Sequence, residues 1–129
     1  MNIRNKWLVT GGAGFFGIHM CHFLANKGYD VISIDKEEFP QHLLKKNISH
    51  INLNILDFDN LLNILIDNEI QYVVHAAAEL ALADPQKIIE TNGEATIHLL
   101  NIFKKASIKR VVYISSCAVY GKPESHPIF

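Results

Sequence analysis

Cysteine is scarce: the 129 residues hold two, Cys21 and Cys117, far apart in the chain. That excludes a disulfide framework and a cysteine metal knuckle, so no metal site is expected. Reduced thiols in a cytoplasmic protein are the natural expectation. Charge is also in short supply, at 19% of residues with a formal net charge of -1. Neither nucleic acid nor an anionic lipid surface is therefore an expected partner. No uncharged stretch approaches the length of a membrane span. The apolar run Trp7–Val9 is too short for the core of a signal peptide. There is no internal repeat and no low-complexity tract.

What is abundant is apolar residue, 49% of the chain, enough for one buried core in one domain. It is distributed in two alternating patterns. Short apolar runs at Lys6–Thr10, Val31–Asp35, His50–Leu53, Gln71–Ala76 and Arg110–Ser115 predict five strands. Longer amphipathic stretches between them predict helices. The first is Phe15–Lys27, with Phe16, Met20, Phe23 and Leu24 inward and Gly28 as its C-terminal cap. The second is Asp57–Asn68, capped by Asp57, with a stripe of Leu61, Leu62, Leu65 and Ile66. The third runs from about Gln86 to Ala106, with Leu99, Leu100 and Phe103 inward. Glu37–Lys46 is a polar connection, partly helical, broken at Pro40. Strands alternating with helices predict an α/β fold: a parallel, doubly wound Rossmann-type sheet with helices on both faces. The near-continuous apolar strands fit burial on both sides.

The segment after the first strand is Thr10-Gly11-Gly12-Ala13-Gly14-Phe15-Phe16-Gly17. It satisfies Gly-x-Gly-x-x-Gly at Gly12, Gly14 and Gly17, and Thr-Gly-x-x-Gly-x-x-Gly at Thr10, Gly11, Gly14 and Gly17. An early glycine makes the tight turn, Gly14 lets backbone approach a diphosphate, and Gly17 allows close helix–sheet packing. The helix start then offers free N–H groups and a partial positive charge. Asp35 closes the second strand 21 residues after Gly14, where a carboxylate binds ribose hydroxyls. It repels a 2′-phosphate, which favours NAD over NADP, although Lys36 beside it keeps NADP open. The alternative is a turn that merely joins strand to helix, with Asp35 capping the strand.

Taken with HAAA at 75–78, Asn92 in TNGEAT and SSCAVYG at 115–121, these motifs resemble those of the extended short-chain dehydrogenase/reductases. The similarity is to the NAD-dependent nucleotide-sugar epimerases and dehydratases, and it covers essentially the whole chain. The resemblance implies that Gly11, Gly14 and Gly17, with Phe15 and Phe16, line the diphosphate, and that Asp35 and Lys36 meet the adenosine ribose. Asn54-Ile55 stands where the family places an acid and an apolar residue against adenine. Asn54 keeps an accepting oxygen without the charge. Ala76, Ala77 and Ala78 would run beside the cofactor, their small side chains leaving room for it. His75 reads as a core histidine with a satisfied hydrogen bond. Asn92 would be a defect inside a helix unless its amide bonds backbone elsewhere. The usual glycine three residues later is Ala95 here.

Ser116 matches the family's catalytic Ser/Thr, whose hydroxyl bonds the reacting sugar oxygen. On residue chemistry alone it is a turn serine capping the strand. The positions after it are Cys117 and Ala118, not the acidic pair of many dehydratases, which points to epimerisation or plain oxidoreduction. No Tyr-x-x-x-Lys follows Ser116, and Tyr120 belongs to the VYG turn. The expectation is an N-terminal part of the Rossmann domain (1–129) of a longer enzyme, with a nucleotide-sugar substrate and a homodimer in the parent. Alone it should bind NAD weakly without turnover, with its fifth strand an exposed edge. Two other readings share these motifs: a non-catalytic NAD-binding module, and a reductase or hydroxysteroid-type dehydrogenase.

Overall fold

The computed structural model describes residues 5–125. Five strands form one parallel sheet: β1 (Lys6–Thr10), β2 (Asp30–Asp35), β3 (Ile48–Asn52), β4 (Tyr72–His75) and β5 (Arg110–Tyr113). Their order is β3-β2-β1-β4-β5, the Rossmann order without a sixth strand. The register pairs Val9 with Ser33 and Val74 across the centre of the sheet. Adjacent residues Leu8 and Val9 of β1 are both fully buried, so the central strand is covered on both faces.

One face packs on α1 (Phe15–Asn26), joining Val9, Cys21, Leu24, Val31, Phe39, Ile48 and Val74. The other packs on α2 (Phe58–Asp67) and α4 (Ala95–Lys105), joining Leu8, Ile34, Leu61, Leu65, Val73, Leu99 and Phe103. Burying such a Leu, Val or Phe contributes about 1.5–3 kcal/mol each. The helical arcs face the sheet at a different angle from the predicted stripes. Phe23, Ile66 and Leu100 are more than half exposed, while small Cys21 and Ala25 take the contact on α1. Small side chains let a helix axis approach the sheet, and a stripe drawn from bulky residues alone misses them.

Other boundaries differ in instructive ways. The third strand starts at Ile48, two residues earlier than expected, because Asn47 ties Ala25 and Tyr29 carbonyls and feeds Ile48 onto β2. The fifth ends at Tyr113, not Ser115. Pro40 does not break a helix but precedes a single 3-10 turn, Gln41–Leu43. The long third helix is interrupted: a short α3 (Pro85–Ile88) runs into a π-helical turn, Ile89–Glu94, before α4. Asp57 caps α2 through its side chain as expected, and Gly28 follows α1 with its N–H on Ala25 O. β5 lies at the sheet edge with Val112 and Tyr113 substantially exposed. Among the described residues no helix is long and apolar enough to cross a membrane, and no cluster could hold a metal ion.

Candidate functional site

The sheet order reverses between β1 and β4, and at the carboxyl ends of these strands a cleft of about 950 Å³ opens. That is where ligands bind in open α/β sheets. Its walls are built from four connections. Gly11, Gly14, Phe15, Phe16 and Gly17 come from the β1–α1 turn, Asp35 and Lys36 from the end of β2, and Asn54 and Ile55 from the segment after β3. Ala76, Ala77 and Ala78 come from the end of β4. The structure thus gathers these sequence-selected positions in one place.

The glycines of the turn have different reasons to be glycine. Gly11 has φ +66°, and a Cβ there would sit 2.8 Å from Ala77 N. This close approach lets the β1 and β4 connections touch. At Gly17 a Cβ would run into Gly11 O and lie 2.6 Å from Gly12 Cα. Gly14 is different. It precedes α1 in an extended conformation any residue can adopt, φ -74° and ψ 172°. A Cβ there meets only Gly11 O, at 3.3 Å. Internal packing therefore asks less of Gly14 than of Gly11 or Gly17, since Gly11 O need give only a few tenths of an ångström, and the bare backbone of Gly14 faces the cleft. No side chain caps α1 and no acid lies in its first turn, so its positive end is not neutralised from within the helix.

Asp35 is drawn into the same turn. Its Oδ2 accepts from Ala13 N at 3.1 Å and its Oδ1 from Glu37 N at 3.0 Å. The carboxylate thus braces the turn and retains lone pairs toward the cleft. Lys36 reaches across the end of β1 to Glu79, with Nζ–Oε1 at 2.9 Å. The Glu79 carboxylate holds its ammonium above the ordinary lysine range. Asn54 Oδ1 accepts from Leu56 N at 3.0 Å, and Ile55 is buried, half core and half cleft floor.

Thr10, which the sequence places only within a motif, organises the whole site. Its Oγ1 accepts from Ala76 N and Ala77 N, both at 3.2 Å. Its one proton must then go to His75 Nδ1, 2.6 Å away. His75 is therefore neutral with its proton on Nε2, and burial pushes its pKa down. Burial likewise raises the Cys21 thiol to about 12, which makes it an inert core group.

Two predicted residues stand apart from the cleft lining. Asn92 lies in the π-helical turn, where its amide donates to Glu79 O at 2.9 Å and accepts from Glu79 N at 2.8 Å. It holds the loop after β4 as a strand neighbour would. Ser116 is exposed and precedes the 3-10 turn Cys117–Tyr120, its Oγ accepting from Ala118 N at 3.1 Å. Sequence reasoning missed Glu37, Glu79, Lys87 and Glu90, which also line the cleft. They lie in loops, the short α3 and the π-helical turn, with no motif of their own.

The comparisons agree with this geometry. The profile of the NAD dependent epimerase/dehydratase family matches residues 7–129. UDP-glucose 4-epimerase of Bacillus subtilis is 32% identical over 94% of the chain and 39% of its own length. The NAD complex of UDP-glucose 4-epimerase from Brucella ovis superposes with a TM-score of 0.85 at 32% identity, covering 96% of this chain and 39% of that one. The NAD complex of the Bordetella bronchiseptica enzyme WbmG gives a TM-score of 0.86 at 25% identity, covering 98% and 42%. The chain spans about two fifths of the length of these relatives. By its fold, its glycine turn and this match, the chain belongs to the NAD-dependent epimerase/dehydratase family.

Proposed function

We propose that this domain seats NAD along the β1–β4 cleft for a nucleotide-sugar epimerase. The observation that supports it most is Gly14: a bare, solvent-facing backbone at an uncapped helix start, with a weaker internal reason to lack a side chain than Gly11 or Gly17 has. In this reading the backbone N–H groups around Gly14 bind the diphosphate. Asp35 accepts from the adenosine ribose hydroxyls, while Asn54 and Ile55 meet adenine and Ala76–Ala78 leave room alongside. Bound NAD supplies a hydride acceptor and donor for a sugar carbon. Ser116 spends one lone pair on Ala118 N and keeps its proton to orient a sugar hydroxyl.

Cys117 and Ala118 after Ser116 favour epimerisation over dehydration, which needs an additional acid–base pair. Both cysteines are free, which fits a reducing cytoplasm. Turnover is proposed for a protein that carries this domain together with a Tyr-x-x-x-Lys helix; these 129 residues by themselves bind without reacting. A second reading, a non-catalytic NAD-binding module, rests on the same cleft and the same glycine turn. Calorimetric titration of the chain tests what both readings share. One NAD per chain is expected, with NADP weaker because Asp35 repels the 2′-phosphate. No heat with NAD, or tighter NADP than NAD, contradicts the reading.

A further inference from the structure

We propose that Glu79 sharpens the cofactor preference of the cleft by holding the Lys36 ammonium away from the ribose 2′ position. The inference rests on the dinucleotide reading above and adds a specificity residue to it. NAD and NADP differ by one phosphate on the adenosine ribose. A cation following the acid at the end of β2 is the natural partner for that phosphate, and Lys36 stands there. Its charge is already engaged. The ammonium lies 2.9 Å from Glu79 Oε1, across the carboxyl end of β1.

The two partners are not equally free. Glu79 has its backbone clamped at N and O by Asn92, at 2.8 and 2.9 Å. Its side chain is only 25% exposed, against 57% for Lys36. The carboxylate is thus the fixed post and the lysine the tethered arm. Asp35 and Glu37 flank the same lysine and line the same cleft, so a 2′-phosphate meets carboxylates while the lysine beside them is turned toward β4. An exposed pair of this kind is individually weak, so the device tunes the preference and Asp35 supplies the larger part of it.

The test is calorimetry of NAD and NADP on the wild-type chain, Glu79→Gln, Lys36→Gln and the double variant. The Asn92 bonds go to the backbone of residue 79, so Glu79→Gln keeps them. It is expected to raise NADP affinity about fivefold with a smaller change for NAD. Lys36→Gln alone changes NADP binding little, because that lysine is already withdrawn. The double variant is expected to lose the gain, which assigns it to the freed lysine. An unchanged NAD/NADP ratio in Glu79→Gln overturns the inference and leaves the dinucleotide reading standing. So does a gain that survives in the double variant, since it then comes from lost negative charge alone. Failure of the folded wild-type chain to bind either dinucleotide overturns both.

Discussion

Gly14→Val is expected to weaken NAD binding at least tenfold, and in practice beyond detection, while the chain stays folded. Each tenfold corresponds to about 1.4 kcal/mol, less than the loss of one close charge-assisted contact to a diphosphate. The fold survives because the backbone at Gly14 is ordinary extended conformation and a Cβ meets only Gly11 O at 3.3 Å. Valine is a poor residue at the start of a helix, costing about 1 kcal/mol. Gly14→Ser removes that complication, because serine caps α1 and still fills the space. Both variants should bind weakly, and the serine variant should melt closer to wild type than the valine variant does. Gly17→Ala makes the contrast: its Cβ collides with backbone at Gly11 and Gly12, so it should lose stability first and binding only as a consequence. Calorimetry beside thermal melts separates the two classes.

Thr10→Val is expected to cost about 2–4 kcal/mol of stability, the largest single effect on folding for a change of so few atoms. It preserves shape but strips the hydroxyl from Ala77 N and His75 Nδ1 in a buried setting, and each orphaned group costs about 1–3 kcal/mol. Ala76 N fares better, since it also reaches Thr10 O at 3.2 Å. Thr10→Ser keeps the oxygen and should recover most of the loss in a denaturant titration. The same hub makes stability depend on pH. Burial lowers the His75 pKa in the folded chain, so the unfolded chain binds the proton more readily. Stability is therefore complete above the unfolded value of about 6.5 and falls as pH drops below it, toward the folded pKa. The cause is burial, which disfavours the charged ring; a protonated Nδ1 also cannot accept from Thr10, whose oxygen already takes two N–H groups. His75→Asn offers an amide oxygen to Thr10 without titrating, so its loss of stability between pH 7 and 5 should be smaller.

The parts of this architecture visible in the sequence are those set by local chemistry. β1, β2 and β4 are apolar runs stopped by glycine, aspartate and a small-residue turn, and they fall close to where they were expected. β3 was less legible because only Ile48 and Ile51 are apolar in Ile48–Asn52, a spacing that is neither a continuous buried run nor a strict alternation. The glycine turn was legible because close backbone approaches leave only glycine at Gly11 and Gly17, and the proposed diphosphate contact accounts for Gly14. The π-helical turn around Asn92 was not legible: its residues suit an ordinary helix, and the shift appears only when Asn92 finds Glu79. The Lys36–Glu79 pair was equally hidden, since 43 residues separate the partners and only the strand order brings them together. The buried faces of α1 and α4 depend on the angle of each helix to the sheet, which hydrophobic spacing does not encode.

If a dinucleotide rests on the exposed peptide groups that begin α1, its addition must perturb those amides first. Two-dimensional amide spectra of the 15N-labelled chain, recorded through an NAD titration, read this directly. The largest shifts are predicted at Ala13, Gly14, Phe15 and Phe16, with a second set at Asp35 and Ala77, and all of them should vanish in Gly14→Val. Shifts confined to another surface, or unchanged spectra at saturating NAD, would contradict the account.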